Sequence, residues 1–256
     1  MGGLTVLQEI RRILPNESVI YVGDTARIPY GAKDADTLFS YGKEIVRFLL
    51  DKGAKIIVLA CGSTSSTIFE RLQQEFPSVT FVDVIRPSVI ACAKMAINPH
   101  SRIRWGFIAT SATIRSGLFV KMLKDRLPDK NAIIHARACP MFAPMVEAGI
   151  NYPHFAFNFV AETYLGDLRN QIDALVLGCT HFPLIDFKPI LGDINYINLA
   201  TYAAIATKEQ LEKENKINFS ENVTIKLYVS SAPETFSKAV RIILGEDFSV
   251  NLMGMY

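Results

Sequence analysis

Apolar positions along the chain follow two spacings, and each spacing predicts one kind of element. Residues 56–60 and 174–177 are short, continuous apolar runs without polar alternation, which is typical of parallel strands buried on both faces. Elsewhere apolar residues recur every three or four positions, as they do from Leu4 to Leu14, and this spacing predicts amphipathic helices. Strands that alternate with helices indicate parallel sheets covered by helices.

The whole pattern predicts a series of strands separated by helices. The predicted strands cover residues 18–22, 56–60, 79–84, 103–109, 132–136, 174–177, 196–199, 223–229 and 248–252. The clearest helices cover residues 4–14, 87–97, 154–169 and 233–244, and a further helix is predicted after each of residues 61 and 179. The strongest break in the middle of the chain is Asn98-Pro99-His100, where we place a domain crossing.

The composition and charge of the chain argue against two classes of partner, nucleic acids and membranes. A chain of 256 residues with 50% hydrophobic composition can bury one large core or two modest ones. Its 27 basic and 25 acidic residues give a net charge of +2, which offers no electrostatic case for nucleic-acid binding. No apolar run approaches the roughly 18 residues of a membrane span, and no leader pattern marks secretion. We therefore expect no nucleic-acid partner and no membrane partner.

The cysteines indicate the compartment. The chain has Cys61, Cys92, Cys139 and Cys179, with no close pair and no C-x-x-C spacing. Free thiols of this kind are typical of a reducing environment, so we expect a cytoplasmic protein.

Cys61 and Cys179 stand in matching contexts. Each ends an apolar strand and precedes hydroxyl residues and a predicted helix, for which Ser63, Thr64 and Ser65 are candidate N-caps after the first cysteine. Ligands bind at the carboxyl edge of an open α/β sheet, and a helix N-terminus there favours an anion and a thiolate. The pattern predicts a pair of thiols that acts on one small anionic molecule.

Motifs in four places, taken in order, resemble those of the cofactor-independent glutamate racemases. They are Gly2-Gly3-Leu4-Thr5-Val6, Gly23-Asp24-Thr25-Ala26-Arg27-Ile28-Pro29-Tyr30-Gly31, Ala60-Cys61-Gly62-Ser63 and Gly178-Cys179-Thr180-His181-Phe182-Pro183-Leu184. Each is short, but all four in register identify the chain as a member of that family. The Pro-Tyr-Gly loop favours the glutamate branch over the related aspartate racemases.

The resemblance implies a fold of two parallel-sheet α/β domains related by pseudo-symmetry, with the active site in the cleft between them. The first domain would be discontinuous and comprise residues 1–90 and 205–256, and the second would comprise residues 91–204. The expected substrate is glutamate, the expected cofactor and metal content is none, and the expected assembly is a homodimer. The product would be D-glutamate for peptidoglycan in cell-wall synthesis.

The resemblance also assigns residues. Cys61 and Cys179 would be the two acid/base thiols, and His181 would set the protonation of Cys179. The residues expected to contact the substrate are Pro29, Tyr30, Gly31, Gly62, Ser63, Thr110, Thr113, Thr180 and His181. Glu147 is interpreted either as the partner of His181 or as a surface acid, and Thr110 and Thr113 either as ligand contacts or as helix caps.

Simpler roles remain for other residues. Cys92 and Cys139 are interpreted as core residues, and His100, His135 and His154 as surface or loop residues. Arg27 is interpreted as an ion pair with Asp24 that fixes its own loop. Cys179-Thr180-His181 could belong to a metal site, but no second Cys/His cluster offers further ligands. Residues 155–159 are expected in the core or in a dimer contact.

Departures from the family pattern leave alternatives open. Gly62 and Ser63 replace the usual Asn and Thr, and the opening Asp and Ser are absent together with the strand that carries them. We expect Met1 to be an internal methionine of a longer protein, and the first domain described here to lack its opening strand. The alternatives are an impaired protein of this fold that binds an acidic amino acid, and an aspartate-type racemase.

Overall fold

Parallel strands in three sheets carry the fold. A computed structural model describes residues 1–97, 103–129 and 132–254, so Asn98-Pro99-His100 lies outside the described residues. The strands are β1 (Val19–Gly23), β2 (Ile57–Leu59), β3 (Phe81–Asp83), β4 (Trp105–Ala109), β5 (Ile134–Ala138), β6 (Ala174–Leu177), β7 (Asn195–Asn198), β8 (Ile225–Val229) and β9 (Val250–Leu252). Each corresponds to a predicted strand, and every pairing among them is parallel.

Helices connect these strands. They are α1 (Gly3–Ile13), α2 (Ala35–Asp51), α3 (Gly62–Thr67), α4 (Phe69–Glu75), α5 (Ile85–Met95), α6 (Ser111–Ser116), α7 (Leu118–Arg126), α8 (Phe142–Glu147), α9 (Phe155–Leu165), α10 (Lys188–Leu191), α11 (Leu199–Lys213) and α12 (Pro233–Leu244). None of the helices in the described ranges is both long and apolar enough to cross a bilayer.

The four-stranded sheet has the order β5-β4-β6-β7. All residues of β4 and β6 are buried, because each strand is paired on both edges and covered on both faces. In the core beside β4, the rings of Phe107 and Phe119 stack with centroids 4.1 Å apart. The apolar run at residues 174–177 therefore correctly predicted a doubly covered parallel strand, whereas the run at residues 56–60 gave β2, whose central residue is only half-buried.

The strands from the two ends of the chain form two smaller sheets. One has the order β1-β8-β9 and the other pairs β2 with β3. The C-terminal strands β8 and β9 thus return to the N-terminal part of the fold, beside β1. The division into residues 1–90 with 205–256 and residues 91–204 stays a prediction. One buried cluster contains both Ile10 of α1 and Trp105 of β4, so the two parts share a core.

Several helices are shorter than predicted. The segment after Cys61 breaks at Ile68 into α3 and α4, and Gly117, in a left-handed conformation with φ 64°, separates α6 from α7. The predicted helix after Cys179 is wrong: the chain forms only a 3₁₀ turn over Phe182–Leu184 and the four-residue α10. Pro183 does occupy the first turn of that 3₁₀ segment.

Candidate active site

Cys61 lies where β2 ends and α3 begins. It is the N-cap residue, with extended backbone angles of φ −144° and ψ 125°, and its carbonyl accepts hydrogen bonds from the Ser65 N–H at 2.9 Å and the Thr64 hydroxyl at 3.0 Å. Ser63, Thr64 and Ser65 lie inside α3, so the expectation that one of them caps it is wrong. The Cys61 side chain is half-buried.

Cys179 follows β6 in a more enclosed position. The Gly178 N–H donates to the Ile108 carbonyl at 2.7 Å, and a Cβ on Gly178 would lie 2.4 Å from the Phe107 ring, so only glycine fits. Cys179 itself is 6% exposed. Burial, with smaller contributions from the charges of Cys61 and Glu147, raises the pKa of the Cys179 thiol to about 12. Burial thus outweighs the backbone hydrogen bond from His181, which favours the thiolate as predicted for this position.

His181 links Cys179 to Glu147. Its Nδ1 lies 3.6 Å from the Cys179 sulfur, and its Nε2 lies 2.9 Å from Glu147 Oε1 and 3.1 Å from the Gly2 nitrogen. In one tautomer Nε2–H donates to Glu147, which leaves Nδ1 free to accept the proton of Cys179. In the other, Nε2 accepts from the Gly2 N–H, and Nδ1–H donates to the sulfur. The hydrogen bond from His181 keeps the pKa of Glu147 below its ordinary value.

The two cysteine loops meet across one cavity of about 1840 Å³, which both thiols line. The Thr180 hydroxyl donates to the Ala60 carbonyl at 3.2 Å, and a Cβ on Gly62 would lie 2.4 Å from the Gly178 carbonyl oxygen. The charge of Cys61 acts on the pKa of Cys179, and raises it. The structure therefore brings together the two thiols and their flanking residues, as the paired motifs predict.

Hydroxyl groups from two elements line the same region. The Ser63 hydroxyl lies 3.0 Å from the Thr110 hydroxyl, which lies 3.1 Å from the Thr113 hydroxyl. Thr110 also caps α6 by accepting from the Thr113 N–H at 3.4 Å. Thr113 is 1% exposed and does not line the cavity, so it contacts Thr110 rather than open space. A Cβ on Gly31 would lie 2.9 Å from Thr110, which places the loop of residues 29–31 against this group.

Asp24 fixes the loop that carries Pro29, Tyr30 and Gly31. It accepts hydrogen bonds from the Tyr30 hydroxyl and from Arg27 Nε, the latter at 2.6 Å. Arg27 also contacts Glu44 of α2 at 2.5 Å. Burial and the carboxylate of Asp24 raise the pKa of the Tyr30 phenol. Arg27 therefore stabilises its own loop, as the simpler interpretation of this residue expects.

Residues that precede β1 also contact the site, although the sequence pattern predicted no role for them there. The Thr5 hydroxyl lies 2.9 Å from the Thr180 carbonyl, and the Met1 ammonium lies 3.7 Å from Glu147. The signal was present in the Gly2–Val6 motif, which we used only as a mark of resemblance. Glu44 was also missed, because nothing in the sequence relates it to Arg27.

The remaining cysteines and histidines lie elsewhere. Burial raises the pKa of the Cys92 and Cys139 thiols to about 12, which agrees with their interpretation as core residues. His154 caps α9 by accepting from the Ala156 N–H at 3.2 Å, and His100 is outside the described residues. Within residues 1–97, 103–129 and 132–254, no group of three His, Cys, Asp or Glu side chains is placed to hold a metal ion.

Comparison with known proteins identifies the family. The profile of the family described as Asp/Glu/Hydantoin racemase matches residues 2–194. A glutamate racemase of Aquifex aeolicus (strain VF5) is 36% identical over 248 residues, which cover 96% of this chain and 91% of that relative. The chain belongs to the Asp/Glu/Hydantoin racemase family.

Other members of the racemase family agree in sequence and in structure. A glutamate racemase of Geobacter metallireducens is 37% identical over 252 residues, covering 96% of this chain and 90% of that relative. The crystal structure of glutamate racemase from Francisella tularensis in complex with D-glutamate superposes with a TM-score of 0.88 at 29% identity, covering 99% of this chain and 94% of that one. The two-domain racemase fold predicted from the motifs is thereby confirmed.

Proposed function

We propose that the protein is an isomerase, a glutamate racemase, that uses Cys61 and Cys179 as its acid and base. The observation that carries this proposal is the meeting of the two cysteine loops at one cavity, in a chain whose relatives at 36% and 37% identity are named glutamate racemases. Cavities of this kind, with a few converging polar groups, are the usual sites of small ligands.

Racemisation removes the Cα proton from one face of an amino acid and returns a proton to the other. A single base tends to return the proton to the face it came from, so two groups on opposite sides are needed. The negative charge of one thiolate raises the pKa of the other thiol, which favours a pair with one thiolate and one thiol. The buried Cys179 would be the protonated partner in the resting pair.

His181 and Glu147 support the proton transfer at Cys179. The His181 ring lies between the sulfur and the Glu147 carboxylate, so a proton leaving Cys179 can be held on Nδ1 while Nε2–H donates to Glu147. The carboxylate stabilises the imidazolium that forms, which lowers the cost of ionising a buried thiol. This arrangement makes His181 a positioning and proton-holding group for Cys179.

Donors around the thiols suit the carboxylates of glutamate. The backbone N–H groups after Ser63 and Thr180 lie at the carboxyl ends of their strands, and the Ser63 and Thr110 hydroxyls lie 3.0 Å apart beside Cys61. Donors of this kind stabilise the charge that grows on the α-carboxylate as the Cα proton leaves. Tyr30 and Gly31 would close the site from their loop.

The proposed role in the cell is the supply of D-glutamate for peptidoglycan, in the cytoplasm. We further propose a homodimer. Phe155 and Phe159 on α9 are 80% and 74% exposed, and exposed aromatic side chains that recur on one helix face are enriched in protein interfaces.

The experiment that tests the proposal measures enantiomer conversion. Purified protein is incubated separately with L-glutamate, D-glutamate and L-aspartate, and the enantiomers are separated by chiral chromatography. We expect glutamate to approach an equal mixture from both directions and aspartate to convert at least about tenfold more slowly. Faster conversion of aspartate would identify an aspartate-type enzyme instead.

A second candidate function is binding of an acidic amino acid without turnover. Gly62 favours it, because the related racemases usually carry Asn there and this chain therefore lacks a side-chain amide beside Cys61. Calorimetric binding of glutamate without any exchange of its Cα proton would establish this function and exclude the racemase.

A further inference from the structure

Two segments meet at the carboxyl ends of the paired strands β1 and β8. Residues 24–31, which we call the β1 loop, follow β1, and residues 230–232, which we call the C-terminal turn, join β8 to α12. The Ser230 N–H donates to the Gly23 carbonyl at 3.1 Å and so extends the pairing of the two strands by one hydrogen bond. The two segments therefore leave the sheet side by side, although Asp24 and Ser230 are 206 positions apart in the sequence.

The Ser230 hydroxyl makes two hydrogen bonds to the β1 loop. It donates to Asp24 Oδ1 at 2.8 Å and accepts from the Ala26 N–H at 2.8 Å. Ser231 adds a second connection, because its N–H donates to the Thr25 hydroxyl at 2.9 Å and its carbonyl accepts from that hydroxyl at 2.6 Å. The C-terminal turn thus holds the first residues of the β1 loop.

Asp24 transmits this contact to the rest of the β1 loop. Its side chain is 5% exposed, and a buried carboxylate is favourable only when its oxygens accept hydrogen bonds. One oxygen accepts from Ser230, and the other accepts from Arg27 and from the Tyr30 hydroxyl. The Ser230 hydroxyl therefore fixes the orientation of the carboxylate to which Tyr30 is bonded.

The far end of the β1 loop lies at the cavity, beside the hydroxyl groups of the site. Tyr30 and Gly31 line the cavity, and a Cβ on Gly31 would lie 2.9 Å from Thr110. The Thr110 hydroxyl in turn lies 3.0 Å from the Ser63 hydroxyl. Ser230 itself does not line the cavity, so its effect on a ligand there must pass through the β1 loop.

The C-terminal turn has an unfavourable backbone conformation. Ala232 lies in the left-handed region, with φ 49° and ψ 57°, where a residue with a Cβ is strained. Such a residue persists where surrounding contacts determine its conformation, and strain of this kind is concentrated at functional sites. The hydrogen bonds of Ser230 and Ser231 to the β1 loop supply such contacts immediately before Ala232.

We propose that Ser230 is a positioning residue, which acts through Asp24 to hold the end of the β1 loop against a bound amino acid. This role rests on the proposed function, which assigns contact with glutamate to Tyr30 and Gly31. The family profile ends at residue 194, so the match to it does not include Ser230. Because both thiols belong to other loops, Ser230 should affect the binding of glutamate more than the transfer of its proton.

Three variants test this role. Ser230→Ala removes the hydroxyl, Ser230→Thr keeps it, and Ser237→Ala is the matched control, because its hydroxyl donates within α12 to the Pro233 carbonyl at 2.9 Å. Enantiomer conversion gives KM and kcat for glutamate, calorimetry gives its dissociation constant, and circular dichroism verifies the fold. We expect Ser230→Ala to raise KM and the dissociation constant at least about fivefold and to change kcat less than about twofold. The other two variants should stay within about twofold of the parent in all three constants.

A measurement without ligand separates this role from the racemase activity. The Lys33 N–H donates to the Tyr30 carbonyl at 3.1 Å, so its hydrogen exchange reports on the end of the β1 loop. In the ligand-free protein, Ser230→Ala should speed exchange at Lys33 at least about threefold, and Ser237→Ala should leave it unchanged. If the parent neither binds nor converts glutamate, the proposed function fails, and exchange at Lys33 alone decides whether Ser230 holds the loop.

Four results would overturn the role of Ser230. They are unchanged exchange at Lys33 in Ser230→Ala, unchanged affinity of that variant for glutamate where the parent binds it, an equal effect of Ser237→Ala, and a Ser230→Thr variant that behaves like Ser230→Ala. A fall in kcat with KM unchanged would likewise contradict it, because the hydroxyl would then act on proton transfer rather than on binding.

Discussion

The two cysteine loops share a local sequence pattern and differ in their surroundings. Cys179 follows β6, which is paired on both edges, and its thiol is buried with a pKa raised to about 12. Cys61 follows β2, which within the described ranges pairs with β3 alone, and its side chain is half-buried. The comparison teaches that an apolar strand ending in cysteine sets where a thiol lies, while the elements packed around the thiol set how enclosed it is.

Under the proposed function, this difference would give the two thiols distinct tasks in the resting enzyme. The enclosed thiol of Cys179 has His181 at 3.6 Å to receive its proton, whereas Cys61 lies beside the hydroxyl pair of Ser63 and Thr110. An enclosed acid and a more accessible base suit a reaction in which the two groups must be in opposite protonation states.

The largest expected effect is on catalysis by either thiol. Cys61→Ala and Cys179→Ala should each lower the rate of glutamate racemisation by about 10²–10⁴-fold, since each removes one of the two proton-transfer groups. Enantiomer conversion measures the rate, and circular dichroism verifies that the fold is kept. The matched control is Cys92→Ala, which removes a buried thiol away from the site and should retain activity. A variant of either site cysteine with near-normal turnover would contradict the two-thiol account.

The glycines beside the cysteines should respond differently to a methyl group. Gly178→Ala places a Cβ 2.4 Å from the buried Phe107 ring within the complete sheet, so the free energy of unfolding should fall by about 1–3 kcal/mol. Gly62→Ala places a Cβ 2.4 Å from the Gly178 carbonyl oxygen, so one of the two cysteine loops must shift, and activity should fall about tenfold or more. Gly254→Ala, with open space around it, is the control for both in denaturant titrations. Near-normal activity of Gly62→Ala would contradict the close approach of the two loops at the site.

Alkylation compares the thiols directly. At neutral pH we expect iodoacetamide to modify Cys61 at least about tenfold faster than Cys179, because Cys179 is buried and its pKa is raised. Peptide mass spectrometry after timed quenching gives the two rates, with Cys139 as the buried reference. Faster modification of Cys179 would reverse the assignment of the enclosed thiol.

The smallest expected effect concerns Glu147. Its pKa is lowered in the folded protein from an ordinary value of 4.5, chiefly by the hydrogen bond from His181, so the carboxylate stabilises the fold above that pH. The free energy of unfolding of Glu147→Gln should fall below that of the parent by less than about 1 kcal/mol at pH 7, as the carboxylate is partly exposed. The difference should disappear as the pH falls below 4.5 and the parent carboxylate is protonated. A difference that persists in acid would show that the role of Glu147 is not electrostatic.

Much of the fold could be predicted from the sequence. The wrong predictions share a cause, because each concerns packing or burial by residues elsewhere in the chain. The apolar run at β6 predicted a buried parallel strand, because the hydrophobic pattern is a local property of the sequence. The helix after Cys179 was predicted wrongly, since the 3₁₀ turn over Phe182–Leu184 depends on packing against the rest of the fold. The pKa of Cys179 was predicted in the wrong direction because burial, which sequence does not show, outweighs the backbone hydrogen bond that favours its thiolate.

The site was also predictable only where local sequence motifs mark its residues. The motifs located both cysteines and His181, while Glu147 was left either as the partner of His181 or as a surface acid. The structure places Glu147 and His181 2.9 Å apart. Contacts between residues distant in sequence, such as Thr5 with Thr180 and Arg27 with Glu44, leave no periodic or motif signal.

The most direct test of the two-thiol account follows the Cα proton in deuterated water. Starting from L-glutamate, the two-sided mechanism predicts that D-glutamate formed at early times carries one deuterium at Cα, while the recovered L-glutamate stays undeuterated. Deuterium that enters both enantiomers equally would indicate a single base serving both faces. D-glutamate without deuterium, or no D-glutamate at all, would also contradict the account.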